Sequence, residues 1–242
     1  MTTQRVALVT GSSTGIGAAV ATRLAANGVR VVVNSVRSVE QGRALAESLP
    51  GALYVPGDVS VEQDVTTLVD TVIAEFGRLD ILVNNAGTTK VIPHSDLDSV
   101  TAQVWRDILD VNVVGTWLVT RAALPHLRAS GDGAVVNISS IAGSRPAGSS
   151  IPYAVSKAAI NHMTRLLAGV VGPEVRVNAV APGLVDTEWT KDFTEARAWM
   201  EANAPLRRTG TTDDVAEAVA HVADARYTTG EVLLVDGGTH LR

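Results

Sequence analysis

Seven short runs of aliphatic and β-branched residues recur along the chain, and none shows a regular polar alternation. They are RVALVT (5–10), VRVVVN (29–34), ALYVPG (52–57), LDILVNN (79–85), AVVNISS (134–140), VRVNAVAPG (175–183) and EVLLVDGG (231–238). A strand with one wet face carries apolar residues at every second position. A nearly continuous apolar run needs burial on both faces, as in a parallel sheet covered by helices. The intervening segments supply such helices. Ile16, Val20 and Leu24 recur every four residues and define one apolar face. Ser60 with Gln63 predicts a capping box opening a helix that ends near Phe76 and Gly77, and Thr211 with Asp214 predicts another for a helix running to about Asp224. The longest segment, Val100 to Leu127, carries Val104, Ile108, Val111 and Val114 at helical spacing, then Trp117, Leu118 and Leu124. The alternation predicts an α/β fold: a doubly wound parallel seven-stranded sheet with helices on both faces and right-handed crossovers.

The 242 residues fit a single α/β domain, 1–242, because no internal repeat and no Pro/Gly/Ser linker divides them. A net charge of −5 disfavours nucleic acid and anionic membrane as partners. With no cysteine, disulfides, thiol catalysis and cysteine metal sites are excluded. The opening MTTQRVALVT has neither the apolar length nor the cleavage site of a signal peptide. No apolar segment reaches the ~18–20 uncharged residues of a membrane span. A cytoplasmic protein is the expectation. The least regular region, 184–206, holds Trp189, Phe193, Trp199 and Met200. It reads either as a core-capping helical pair or as a mobile lid over a site.

Between the first strand and the first helix stands TGSSTGIG, with glycines at 11, 15 and 17. A strand–turn–helix context of this kind suits a phosphate-binding turn: glycine permits tight backbone geometry, and the helix N-terminus offers free N–H groups to a pyrophosphate. The spacing is T-G-x-x-x-G-x-G rather than G-x-G-x-x-G. Further motifs follow in order: NNAG at 84–87, Asn112 in DVNVVGTW, Ser140 closing NISS, Tyr153-x-x-x-Lys157, PG at 182–183 with Thr187, and VDGG at 235–238. In this set and order the chain resembles the short-chain dehydrogenase/reductase family over essentially its whole length. The resemblance implies a Rossmann-like sheet and an NAD(P)-dependent oxidoreductase that interconverts a ketone and a secondary alcohol.

Tyr153 and Lys157 lie one helical turn apart on one face. A phenol and an amine with pKa values near ~10 and ~10.4 are poor bases at neutral pH. An ammonium beside the phenol favours the phenolate and is expected to lower the tyrosine pKa. The resemblance implies Tyr153 as general acid/base, with Lys157 depressing its pKa and hydrogen-bonding the nicotinamide ribose. It implies Ser140 as donor to the substrate oxygen, although Ser139 is adjacent, and Asn112 in a proton relay to Lys157. An asparagine inside a helix also suggests a local kink or a polar partner.

For the cofactor, the resemblance implies contacts from Tyr153 and Lys157 as well as from Gly11, Ser13, Thr14, Gly15, Ile16 and Gly17 at the turn. It adds Asp58 and Val59 at the adenine, Asn85, Ala86 and Gly87 at the adenosine ribose, and Pro182, Gly183, Val185 and Thr187 toward the carboxamide; Thr187 alternatively caps a helix of the insert. A carboxylate at the end of the second strand would bind the 2′-hydroxyl of NAD. This chain has NSVRS there: Ser35, Arg37 and Ser38 can donate to a 2′-phosphate, so NADP(H) is favoured and NAD(H) stays possible. Thr14 stands where many NADP-preferring relatives carry arginine.

Other chemistries fit less well. The histidines at 94, 126, 162, 221 and 240 show no metal-ligand spacing, so no metal is expected, and neither G-x-S-x-G nor H-E-x-x-H occurs. The substrate is expected to be a small carbonyl or alcohol, partly apolar if 184–206 is a lid. Alternatives are a 3-oxoacyl-[acyl-carrier-protein] reductase and a non-catalytic dinucleotide-binding regulator. Few basic residues stand near the active-site helix to dock an acidic carrier. Enoyl reductases of related fold place Tyr and Lys farther apart than the three intervening residues here. The resemblance also implies a homotetramer, to which the apolar residues along 100–127 would contribute.

Overall fold

A computed structural model describes residues 4–242; the first three residues of the N-terminal stretch lie outside the described residues. All seven apolar runs are strands: β1 (Val6–Val9), β2 (Arg30–Ser35), β3 (Leu53–Pro56), β4 (Ile81–Asn84), β5 (Gly133–Ile138), β6 (Val175–Pro182) and β7 (Val232–Val235). They form one parallel sheet in the order β3-β2-β1-β4-β5-β6-β7. The continuous hydrophobicity has the expected cause. Ala7, Val9, Val31, Val33, Ile81 and Val83 pack on one face against α1 (Gly15–Ala26), α2 (Val39–Ser48) and α8 (Thr212–Asp224). The alternate residues Val6, Leu8, Val32 and Leu82 pack on the other face against α3 (Glu62–Phe76), α5 (Thr116–Ala129) and α6 (Ile151–Val171). Residues of the central strands thus meet a helix on whichever side they point.

Two sequence expectations need correction. Ser60 does not cap α3. Its amide and hydroxyl both donate to Asp58 Oδ1, at 2.9 and 2.6 Å, leaving Val61 at the cap position without a side-chain cap. That bond turns the hydroxyl toward Asp58, and α3 starts one residue later than a Ser60 cap requires, while Glu62 and Asp64 in the first turn complement the helix dipole. The expected long helix from Val100 is also broken. It is α4 (Ala102–Leu109), a π-helical turn (Asp110–Gly115) and then α5. The wider turn shifts the apolar face, so Val104 and Ile108 are buried while Val114 and Trp117 are exposed. The box at α8 forms as expected: Asp214 N donates to Thr211 Oγ and Thr211 N to Asp214 Oδ2. Residues 184–206 form a 3₁₀ turn (Glu188–Thr190) and α7 (Thr194–Asn203) beyond the end of β6. Among the described residues, no helix is long and apolar enough to cross a membrane.

Candidate active site

In an open parallel sheet a crevice forms at the carboxyl ends of the strands, where neighbouring connections leave in opposite directions. Here that point lies between β1 and β4, and a cleft of about 1180 Å³ opens there. The cleft wall includes every sequence-predicted site residue except Asn112.

The glycine turn forms one end. Gly11 has φ +60°, and a Cβ on it would stand 2.7 Å from Ala86 Cα; one on Gly17 would stand 2.4 Å from Asn85 Nδ2. Asn85 Nδ2 donates to the Thr10 and Gly11 carbonyls, at 3.0 and 2.8 Å, and so ties the end of β4 to the turn. Thr14, at the N-cap of α1, makes no side-chain cap bond, so its hydroxyl leaves the first-turn amides uncovered toward the cleft. A tight glycine cradle beneath an uncapped helix start fits a pyrophosphate. Beyond it, Ser35 Oγ donates to the Ser38 carbonyl and pairs with the Tyr54 hydroxyl, at 3.2 and 3.0 Å. Arg37 is exposed and forms no ion pair among the described residues.

At the other end stand Ser140, Tyr153 and Lys157. Ser150 caps α6 by accepting from Tyr153 N at 3.4 Å, which fixes the first turn that carries the phenol. The two adjacent serines differ in position. Ser139 is buried, and its hydroxyl bonds Asn161 Oδ1 and the Lys157 carbonyl, at 2.6 and 3.2 Å. Ser140 lines the cleft beside the Tyr153 phenol, close enough to act on its ionisation. Lys157 is buried; its Nζ donates to the Ile138 carbonyl at 2.8 Å and lies 5.6 Å from the Tyr153 ring centroid.

The electrostatics differ from the sequence expectation. Burial pushes the Tyr153 phenol above its ordinary pKa, and the nearby Ser140 side chain only partly opposes this. Burial also pushes the Lys157 ammonium down to about 8. Desolvation acts against both charged forms and here exceeds the attraction the sequence pairing suggested. A stability signature follows. Between about pH 8 and 10 the unfolded chain holds the lysine proton that the folded protein has lost, so this group adds stability as pH rises through that window. Relative to a Lys157→Met variant, the wild-type protein should gain about 2 kcal/mol between pH 7.5 and 10, measured by urea denaturation. A constant difference would contradict the lowered amine.

Asn112 sits behind the cleft wall, in the π-helical turn. Its Oδ1 accepts from Thr88 N at 2.8 Å, and its Nδ2 donates to the Thr88 carbonyl and Ser156 Oγ at 3.0 and 2.9 Å. It clamps the loop following NNAG to α6, matching the polar partner the sequence suggested. Thr187 lines the cleft and pairs with Thr190 at the 3₁₀ turn, its N–H donating to Thr190 Oγ at 3.2 Å. Trp189, Phe193, Trp199 and Met200 all border the cleft. Sequence reading missed the network behind it. Asn84 Nδ2 donates to Thr120 Oγ1 and Asn137 Oδ1, and Asn137 Nδ2 to Thr164 Oγ1, each at 2.9 Å. The available signal was two asparagines inside strands that are otherwise apolar. Among the described residues no cluster of metal-ligating side chains occurs.

Comparison with known proteins agrees with this architecture. A family model described as Enoyl-(Acyl carrier protein) reductase matches residues 11–240. A Streptomyces violaceoruber protein named as a ketoacyl reductase of the granaticin polyketide synthase is 63% identical, covering 98% of this chain and 96% of its own. Cis-4-hydroxycyclohexanecarboxylate dehydrogenase of Sinomonas cyclohexanicum is 40% identical, covering 97% and 96%. A crystal structure described as a short-chain dehydrogenase/reductase from Burkholderia xenovorans superposes with a TM-score of 0.93 at 36% identity, covering 100% of both chains.

Proposed function

Because the chain belongs to the short-chain dehydrogenase/reductase family, whose members here are alcohol and ketone oxidoreductases, we propose that it interconverts a partly apolar ketone and a secondary alcohol, with Tyr153 as general acid/base and NADP(H) preferred over NAD(H). The observation that carries this reading is the meeting of Ser140, Tyr153 and Lys157 in the same cleft as the glycine cradle. A nicotinamide dinucleotide bound along that cleft supplies or accepts the hydride. The cradle at Gly11 and Gly17 and the start of α1 would hold its pyrophosphate, and Lys157 its nicotinamide ribose. In reduction, the Tyr153 hydroxyl gives its proton to the substrate oxygen, which Ser140 Oγ also holds. In oxidation the phenolate takes that proton back. The buried Lys157 amine, with its proton held less tightly than in water, restores protonation of the phenol. Asn112 positions α6 through Ser156.

Arg37 is the group proposed for the 2′-phosphate, since Ser35 is already engaged by Tyr54. Fluorescence titration should show tighter binding of NADPH than of NADH. Arg37→Ala is expected to weaken NADPH by roughly 10- to 100-fold while changing NADH little, the size of a lost charge-assisted hydrogen bond. Equal loss for both would remove the phosphate assignment.

Residues 1–242 are read as one catalytic unit with 184–206 as a substrate lid, supported by the four large apolar side chains it presents to the cleft. A homotetramer is proposed from the resemblance, with the exposed Trp117 on α5 and Leu166 and Val170 on α6 as candidate contacts. A second reading, reduction of a 3-oxoacyl thioester on a carrier protein, is favoured by the 63% identity to the ketoacyl reductase. Comparing NADPH oxidation with free cyclic ketones and with 3-oxoacyl-N-acetylcysteamine thioesters separates the two.

A further inference from the structure

Ser140 stands near the Tyr153 hydroxyl, and Lys157 approaches its ring. A third group touches the phenol from a different element. The Trp189 and Tyr153 rings lie edge to face, with centroids 6.4 Å apart and planes inclined at 63°. We infer that Trp189 is a positioning residue for the reaction, its indole fixing the plane of the Tyr153 phenol and covering it against water. The inference rests on the reading of Tyr153 as general acid/base.

The backbone around Trp189 is tied down on both sides. Thr190 Oγ donates to the Val185 carbonyl at 2.6 Å, and Thr187 N donates to Thr190 Oγ at 3.2 Å, closing the 3₁₀ turn that carries the indole. Val185 bridges Gly210; Asp186 N donates to the Gly210 carbonyl and Gly210 N to the Leu184 carbonyl, at 2.9 and 2.8 Å. Asp186 also accepts from Thr209 Oγ at 2.8 Å and pairs with Arg197 of α7. The indole is therefore presented by a fixed frame, independent of the α6 helix that carries the phenol.

An edge-to-face pair has a preferred geometry, so it restrains ring rotation as well as filling space. The phenol must aim its oxygen at a substrate atom, and small errors in such aim cost rate. Trp189 is 48% exposed, so the fold does not depend on burying it. Its apolar cover adds to the burial that pushes the phenol upward. Removing the indole admits water, favours the charged form and moves the phenol downward.

The test is an ultraviolet difference titration of phenolate formation in the purified protein. Each trace is referenced to the same protein carrying Tyr153→Phe, which subtracts Tyr54 and Tyr227. Trp189→Ala is expected to ionise Tyr153 at lower pH than wild type, whereas Trp189→Phe, which retains an aromatic partner, follows wild type. On a secondary alcohol that the wild type oxidises, Trp189→Ala should lower kcat about 3- to 10-fold, and Trp189→Phe should recover most of it. A wild-type titration curve for Trp189→Ala, or a Phe variant that behaves as the Ala variant, overturns the assignment. If Tyr153→Phe itself keeps turnover, the acid/base reading fails instead.

Discussion

Tyr153→Phe is expected to lower kcat by roughly 10²- to 10⁴-fold, the usual contribution of a positioned general acid or base. The substitution removes one oxygen and keeps the ring, so contact with Trp189 and the packing of α6 are retained. Dinucleotide affinity should change by less than about threefold, because that oxygen is offered to the substrate rather than to the cradle. Steady-state kinetics with NADPH and a cyclic ketone, alongside fluorescence titration of NADPH, separate the two quantities. Turnover within a few-fold of wild type would remove the proton-transfer role from Tyr153.

The second large effect is expected at the glycine cradle. A Cβ on Gly17 would lie 2.4 Å from Asn85 Nδ2, 2.6 Å from the Gly11 carbonyl oxygen and 2.7 Å from Ser12 Cα. Two of these three neighbours are backbone, so they cannot swing aside. Gly17→Val should displace the turn and break the Asn85 bonds to Thr10 and Gly11. Affinity for NADPH and NADH should fall together by about 100-fold or more, with a stability loss of about 1–3 kcal/mol from overpacking. Titration calorimetry and urea denaturation measure both. Preserved affinity would show that the dinucleotide pyrophosphate does not use this turn. The joint loss also differs from the Arg37→Ala result, which should discriminate between the two cofactors.

Sequence periodicity located all seven strands, with ends differing by only a few residues, because burial on both faces leaves a continuous apolar run whatever the partner helices are. The glycine turn was legible for a similar reason: a backbone that approaches Asn85 and Ala86 so closely leaves no room for a Cβ. Spacing placed Tyr153 and Lys157 on one helix face. The polar partner of Asn112 was anticipated from its cost inside a helix, but its identity, Thr88, was not, because those residues are 24 positions apart. The capping box at Ser60 failed locally, where the hydroxyl turns to Asp58 and the helix starts only after Val61.

The chain by itself therefore determined the sheet, the cradle and the tyrosine–lysine pair, since each is written in a short repeat, a missing side chain or a fixed helical interval. Tertiary structure decided the rest. It set which of two adjacent serines stands near the phenol, since neighbouring residues past a strand end point to opposite sides and only the packing of α6 says which side is the cleft. It brought Trp189 to Tyr153 from 36 residues away along the chain. It also reversed the expected direction of the phenol pKa, because desolvation sums over everything packed around a group, and no local spacing encodes that sum.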